Sequence, residues 1–463
     1  MHSTHETSEH QALLEGLLGA AATRALAYLR DSPGWPVAPA PPAVDALSEI
    51  DQPLPHAPTR PADVLALLDR VGSPATVVTT GGRYFGFVNG GALPASVAAS
   101  WLASAWDQNV ALRVMSPAAA AFEDVALEWV RDLLGLPAGC GSALVNGATL
   151  ASFTALAAAR HAQLARAGWD VERDGLLGAP PLTVVAGAEV HVSVLKALAL
   201  LGLGRGRVRS VRVDAQGRMR ADALPPLDAR TIVCIQAGNV NTGSFDPAAE
   251  ICRRARDAGA WVHVDGAFGL WAAVSPHLRH LTDGFELADS WATDGHKWPN
   301  VGYDCGIALV RDAAALRAAM ANVSAYFVPG EQREPSQFSP EMSRRARGVE
   351  LWASLRSLGR DGLASLIERT CGHAQAFARG LRESGYDVLN DVVLNQVLVS
   401  FGAPAVTRAV IDRVQRDGTC WCGGTEWQGH VAMRISVSSW ATTDDDVRAS
   451  LEAIRRAAAE TRR

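Results

Sequence analysis

Lysine is almost absent from this chain, and that scarcity carries chemical information. Of the 43 lysine and arginine residues among 463, only Lys196 and Lys297 are lysine. Arginine does not lose its proton in proteins, whereas a lysine of depressed pKa becomes an amine nucleophile able to form an imine. A lysine kept where arginine is otherwise the default cation therefore points to amine chemistry. Lys196 lies in SVLKALALL, a helical run where chance retention suffices, but Lys297 follows SWAT in the segment DGHKW, directly after His296. Two other features precede it. In VNGATLAS, Gly147, Ala148 and Thr149 open a helix with small residues and free backbone N–H groups, a setting that suits a phosphate. In WVHVDGAFG a strand ends on Asp265, and Ala267 just beyond it is small enough to admit a flat ring. Singly these are an ordinary N-cap, strand end and lysine. As an ordered set, each at the carboxyl end of a strand, they match what pyridoxal 5'-phosphate requires.

The elements that must position these residues are legible in outline. Between Ser142 and Val310 the runs ALVN, TVVAG, RVRSVRV, TIVCIQ, WVHVD, SWAT and GIALV alternate with helical patterns, which predicts an α/β fold with a largely parallel sheet covered by helices on both faces. Residues 11 to 30 read as a helical arm and the proline-rich stretch from Ser32 to Pro61 as an extended connector. After Gly359 a helical stretch leads to DVLN, QVLVSF, AMRISV and a closing helix, a smaller α+β unit. The expected division is an arm and connector over 1–83, a large α/β domain over 84–362 and a small domain over 363–463. A net charge of −5 with interspersed signs argues against a nucleic-acid partner. No apolar run is expected to reach the roughly 20 residues of a membrane span, and the start MHSTHETSEHQ lacks the order of a secretory signal, so a cytoplasmic place is expected. Seven scattered cysteines read as reduced thiols; Cys420 and Cys422 alone make a weak metal motif. GLGRGR at Gly202 to Arg207 follows a helix instead of a strand and lacks the later acidic residue, so a nicotinamide site is not expected.

The segments RYFGFVNGGALPAS, MSPAAAAFEDVALEW, VNGATLASFTAL, AEVHVSVLKAL, GSFDP, VHVDGAFG, DGHKWPNVGYDCG and MRISVSSWATT together resemble the group II pyridoxal-dependent amino-acid decarboxylases, from about Tyr84 to Val447. The resemblance implies a fold-type-I (aspartate aminotransferase-like) enzyme, with a small-molecule amino-acid substrate and a homodimer sharing active sites. Residue by residue it implies that Lys297 holds the cofactor as an imine, Asp265 partners the pyridine nitrogen and His191 stacks on the ring. Ala148, Thr149 and His296 would take the phosphate, Ala267 would pack on the opposite ring face, and Thr242 in GNVNTGSFD would belong to a cofactor-contacting turn. The substrate wall would comprise Phe87, Val88, Asn89 and Gly90 from one chain with Asn109, Ala111 and Arg113 from the partner. These residues are more polar than an aromatic-binding wall, so a polar or acidic substrate side chain is expected.

Two positions depart from the family. Counting back from Arg344, Arg345, Arg347 and Trp352, the position of the loop tyrosine that delivers a proton in relatives falls on Pro335, leaving Tyr326 as the loop's tyrosine or His191 as another donor. The expected reaction is decarboxylation to the amine, with carbon–carbon cleavage, oxidative deamination or transamination as the alternative. The second departure is Asp294, where several relatives carry asparagine; a carboxylate there repels phosphate unless it is turned away or paired. Joint retention of Lys297, Asp265, His191 and Thr149 argues against an inactive binding module.

Overall fold

Seven runs between residues 141 and 310 become one sheet: β1 (Gly141–Val145), β2 (Thr183–Gly187), β3 (Arg209–Val211), β4 (Thr231–Gln236), β5 (Trp261–Asp265), β6 (Ser290–Asp294) and β7 (Gly306–Val310). The computed structural model describes residues 2–321 and 332–461. The strand order is β1-β7-β6-β5-β4-β2-β3, with β6, β5, β4, β2 and β3 mutually parallel and β7 antiparallel to both its neighbours. Residues of β4, β5, β6 and β7 are buried throughout. Cover on both faces explains why these strands read as unbroken apolar runs instead of alternating ones. This is the mostly parallel α/β sheet of fold type I.

The antiparallel β7 has a geometric consequence. It reverses direction between β1 and β6, so β1, β5 and β6 all point the same way and their carboxyl ends share one edge of the sheet. Asp265 ends β5, Asp294 ends β6, and β1 runs through Asn146 and Gly147 into the helix Ala148–Arg166. Gly306, the first residue of β7, pairs with both Val145 and Asp294 at this edge. A methyl group at 306 would collide with the Gly147 backbone, so only glycine lets strand and helix start meet here.

A second, antiparallel sheet follows, in the order β10-β11-β9-β8: β8 (Asp387–Val388), β9 (Gln396–Ser400), β10 (Gly423–Trp427) and β11 (His430–Ser436). It has its own core, in which Phe377, Val397, Val399, Val410, Met433, Ile435 and Ile454 are fully buried. The long helix Arg347–Glu383, broken at Gly359 (φ +62°), joins it to the larger sheet. Strand β10 was not expected, because GGTEW carries two glycines and no β-branched run. Its signal is the turn instead: Gln428 (φ +46°) and Gly429 (φ +81°) form a two-residue hairpin loop joining Trp427 to its partner His430.

The N-terminal arm is the helix His2–Asp31, but the membrane-length expectation needs correction. His10–Gly34 contains an 18-residue window apolar enough, by length and composition, to cross a membrane, with mean hydropathy 1.3 and none of that window buried. Its alanines and leucines read as amphipathic periodicity, yet among the described residues they are at most partly covered. The connector is also more structured than its prolines suggest, with short helices at Pro41–Asp45 and Pro61–Leu67, each having proline in its first turn.

Buried charge fixes the segment leading into the long helix. Glu123, on the helix Pro117–Leu133, accepts from Arg344 at 2.8 Å and Arg333 at 3.0 Å; the Glu123 and Arg344 side chains are 1% and 0% exposed. Burial opposes ionisation of Glu123, but the two guanidiniums hold its pKa below the ordinary carboxylate range. Its stabilising contribution is therefore present above the unfolded-state pKa and lost as pH falls through the lower folded value. Glu123→Gln leaves the buried Arg344 cation without its carboxylate, while Arg333 keeps Asp124 at 2.8 Å, and is expected to cost about 3 kcal/mol, read as a lower urea midpoint at neutral pH that converges on wild type under acid conditions. A midpoint unchanged at neutral pH would refute this account.

Candidate active site

The shared strand edge gathers most of the residues singled out above. Lys297 follows β6 by three residues and its Nζ lies 3.1 Å from Asp294 Oδ2, with the lysine side chain 17% exposed. The ammonium also sits over the Phe268 ring, 5.8 Å from its centroid. Asp265 is buried at the end of β5, and its Oδ1 accepts from the Ala267 N–H at 3.3 Å. Burial pushes its carboxyl above the usual range, opposed by His191 and Lys297. A carboxyl in this state is ready for a cationic partner, which would restore its charge; a protonated pyridine nitrogen is such a partner.

His191 caps the helix Val192–Leu200. Its Nδ1 accepts from the Ser193 N–H at 3.3 Å, which assigns the ring proton to Nε2 in the neutral form, and the Ser193 hydroxyl lies 2.7 Å from the same nitrogen. Desolvation holds its pKa below the ordinary histidine value, opposed by Asp265 and reinforced by Lys297 and Arg434. A neutral imidazole of this kind can cover a flat ring without bringing charge to it.

At the other end of the edge, the helix Ala148–Arg166 begins on Gly147. The first backbone N–H with a helical acceptor is that of Ala151, bonded to the Gly147 carbonyl, so the amides of Ala148 and Thr149 face outward free of that ladder. His296 stands beside this helix start: its Cε1 is 3.4 Å from where a Gly147 Cβ would be, and its Nδ1 accepts from the Cys305 N–H at 3.3 Å. Buried Asp294 Oδ1 is without a hydrogen-bond partner at the same place. Helix-start amides, a histidine donor and small residues fit a phosphate, and Lys297 with Asp265 fits the rest of pyridoxal 5'-phosphate.

The wall segment reaches the lysine through its backbone. Phe87 (φ +52°) and Val88 (φ +60°) are both left-handed, an uncommon strain for bulky residues that marks functional segments. It carries Gly90 onto the lysine, where any side chain would strike the Lys297 carbonyl oxygen and the Asn300 amide. Phe87 stays 62% exposed, its ring stacked on Trp421 at 5.5 Å. Asn89 accepts from the Tyr303 hydroxyl at 2.7 Å, and the Tyr303 ring stacks on His296 at 4.4 Å.

Other expected residues lie elsewhere. Thr242 is corrected: its hydroxyl bonds the Gln216 carbonyl and lies against Ser244, both at 2.8 Å, so it is committed inside its turn. The turn residue that meets the site is Asn241, which accepts from Arg434 at 3.4 Å. Asn109 bonds Ser343 and the Arg344 N–H, while Arg113 pairs with Asp124 and donates its N–H to Glu334; these contacts lie along the 334–344 segment, not at this chain's own Lys297. Pro335 is buried in a short 3-10 turn and carries no proton to give. Tyr326 lies outside the described residues. Lys196 is exposed on its helix and GLGRGR forms a loop.

Three site residues escaped the sequence. Arg434 on β11 is desolvated, its pKa lowered by burial, with no carboxylate partner among the described residues. Asn300 donates to the carbonyls of Lys297 and Ser438 and accepts from the Trp440 N–H at 2.7 Å, tying the lysine to the C-terminal sheet. Tyr303 lies three residues before β7, and its contacts with Asn89 and His296 join parts of the chain that spacing does not relate. All three had the same kind of signal, a place inside a segment of the family match: Arg434 in MRISVSSWATT, and Asn300 and Tyr303 in DGHKWPNVGYDCG.

Comparison with known proteins agrees with this geometry. Tryptophan decarboxylase 1 of Oryza sativa subsp. japonica is 28% identical over 82% of this chain and 80% of its own length. L-2,4-diaminobutyrate decarboxylase of Rhizobium meliloti (strain 1021) is 29% identical over 80% and 76%. The crystal structure of Oryza sativa TDC with PLP and tryptamine superposes with a TM-score of 0.88 at 24% identity, covering 96% of this chain and 98% of that one. The model of the pyridoxal-dependent decarboxylase conserved domain matches residues 51–403, and the chain belongs to that family of pyridoxal-phosphate-dependent carboxy-lyases acting on amino acids.

Proposed function

We propose that this member of the family decarboxylates an L-amino acid with a polar or acidic side chain, holding its cofactor through Lys297. The observation that carries the substrate reading is the Tyr303–Asn89 hydrogen bond, a polar pair set where the wall segment packs against Lys297. Tyr303 is 60% exposed and Asn89 partly so, which leaves the pair open to a bound side chain: a polar one can share its hydrogen bonds, and an apolar one has nothing to offer them. The diaminobutyrate decarboxylase relative is named for a substrate of this kind.

The residues divide the work as follows. Lys297 would hold the cofactor through its amine, Asp265 would partner the ring nitrogen, neutral His191 and Ala267 would cover the two ring faces, and the helix start at Ala148 and Thr149 with His296 would take the phosphate. Bound there, pyridoxal phosphate supplies the sink for the electron pair left when carbon dioxide departs. Arg434, a desolvated cation without a carboxylate of its own, is suited to the substrate's α-carboxylate and orients it.

A second reading has its own observation: Pro335 occupies the place of the proton-delivering loop tyrosine and has no hydroxyl. A relative from Rhodiola rosea, 26% identical over 72% of this chain, is named 4-hydroxyphenylacetaldehyde synthase, so aldehyde and ammonia in place of amine is the outcome to compare.

The dimer belongs to the same proposal. Leu14, Leu18 and Leu26 on the arm and Trp101, Leu102 and Trp106 on the helix Pro94–Trp106 are left exposed. A second copy is the fitting cover, and it would bring Asn109, Ala111 and Arg113 to the partner's site. Equilibrium sedimentation should show a dimer at micromolar concentration; a monomer there would refute this part.

A panel of L-amino acids, assayed for carbon dioxide, amine, aldehyde, ammonia and oxygen use, should give carbon dioxide and amine in equal amounts, with a polar substrate best. Phenylalanine and tryptophan as best substrates would refute the side-chain reading, and aldehyde with ammonia would favour the second one. Arg434→Met should lower kcat/KM about 30-fold or more, from about 2 kcal/mol of lost charge-assisted binding, with cofactor absorbance retained. Tyr303→Phe should cost roughly tenfold in kcat/KM for the best polar substrate and leave other substrates nearly unchanged. Equal losses across all substrates would count against a specificity role.

A further inference from the structure

Asp294 presents an electrostatic conflict at the end of β6. Its residue is 2% exposed, Oδ2 contacts the Lys297 ammonium at 3.1 Å and His296 Nε2 at 3.6 Å, and Oδ1 is buried without a hydrogen-bond partner among the described residues. That orphan oxygen lies 3.7 Å from where a Cβ on Gly147 would stand, at the first turn of the helix Ala148–Arg166. On the reading above, the cofactor's phosphate arrives at this same helix start. A phosphate bears about −1.5 to −2 charges near neutral pH, and a like charge this close disfavours an ionised carboxylate. Loading also removes the counter-charge, because Lys297 must give up its ammonium proton before its amine can attack an aldehyde.

No other group makes good that loss. Besides Lys297 and His296, the titratable groups facing Asp294 are His191, Asp265 on β5, and Tyr303 and Cys305 ahead of β7. Both histidines are held below their ordinary pKa by burial, Asp265 is another acid, and the phenol and thiol are neutral. Among the described residues, Asp294 Oδ2 is also a base within reach of the lysine proton.

We propose that Asp294 accepts the Lys297 ammonium proton as the cofactor binds, and that the holoenzyme keeps it as a neutral carboxyl whose O–H donates to the phosphate. The step balances: ammonium, carboxylate and aldehyde become imine, carboxylic acid and one water, with no change in net charge. The protonated acid then does the work of an amide, and the orphan oxygen gains its partner. The residue acts on cofactor retention through Lys297 and the phosphate, so its test reads binding and proton release.

Apoenzyme of wild type and Asp294→Asn is titrated with pyridoxal 5'-phosphate from roughly pH 6.5 to 9, reading the absorbance of the lysine-bound cofactor. In wild type the lysine proton stays on Asp294, while in the variant it must go to solvent. The wild-type Kd divided by the variant Kd should therefore rise about tenfold per pH unit. Calorimetry in buffers of different ionisation heat should show the variant releasing about one more proton per cofactor bound. A ratio independent of pH, with equal proton release, would mean that Asp294 stays ionised and would overturn the proposal. Apoenzyme melting temperatures establish that both proteins are folded, and Asp294→Ser gives the same comparison if the asparagine variant is not. Absence of the absorbance in folded wild type would instead refute the cofactor reading itself, so the two failures are distinct.

Discussion

The constraint on which this structure turns is one cation held among buried acids at a strand edge. Lys297, with Asp294 at 3.1 Å and Asp265 nearby on the next strand, concentrates charge where water is largely excluded. Such a cluster persists only if the backbone fixes each member, since an unpaired buried charge costs several kcal/mol. The sheet provides that fixity: β5 and β6 are neighbours in parallel register, and the reversed β7 lets β1 deliver a helix start to the same edge. Topology and electrostatics are one argument here.

Holding the lysine's backbone is a separate task, performed from outside the sheet. Asn300 binds the Lys297 carbonyl on one side and Ser438 and Trp440 on the other, while its own carbonyl accepts from Leu93 N–H. The wall segment closes in through Gly90, and Trp421 of the small sheet stacks on both Tyr84 and Phe87. The C-terminal sheet therefore does more than complete the fold. It carries Arg434 toward His191 and, through Asn300, steadies the residue on which the chemistry rests.

How far this was legible in the residues follows from which signals are local. The central strands β4 to β7 could be read because burial on both faces makes unbroken apolar runs, and the exposed edge strand β3 through the valines of RVRSVRV. Strand β10 could not, because its glycines and charges follow from a hairpin and not from a core. Asp265, Lys297, His191 and Ala148 were accessible because each sits at a boundary between element types. Thr242 was misplaced by register: within GNVNTGSFD no periodicity says which residue of the turn looks inward, and its Gln216 partner is 26 residues distant. Arg434, Asn300 and Tyr303 depend on partners in other parts of the chain, and spacing is blind to those. The exposed arm shows the converse limit, since apolar periodicity predicts a buried face without saying whose surface buries it.

The uneven use of arginine and lysine then has a physical explanation. Arg344 and Arg347 are asked to stay charged while buried, and Arg333 while partly buried, each against a carboxylate at hydrogen-bond distance, and a planar, permanently protonated fork meets that demand. Lys297 faces a carboxylate at a similar distance, but the imine role proposed for it requires the opposite property, the ability to lose the proton. Replacing it by arginine would keep the ion pair and the fold's charge balance while removing the amine. Stability alone does not explain why position 297 departs from the chain's habit, because arginine would satisfy Asp294 equally well. On the imine role proposed for Lys297 the departure is a demand of chemistry, and Asp294 at 3.1 Å is the neighbour proposed to meet it.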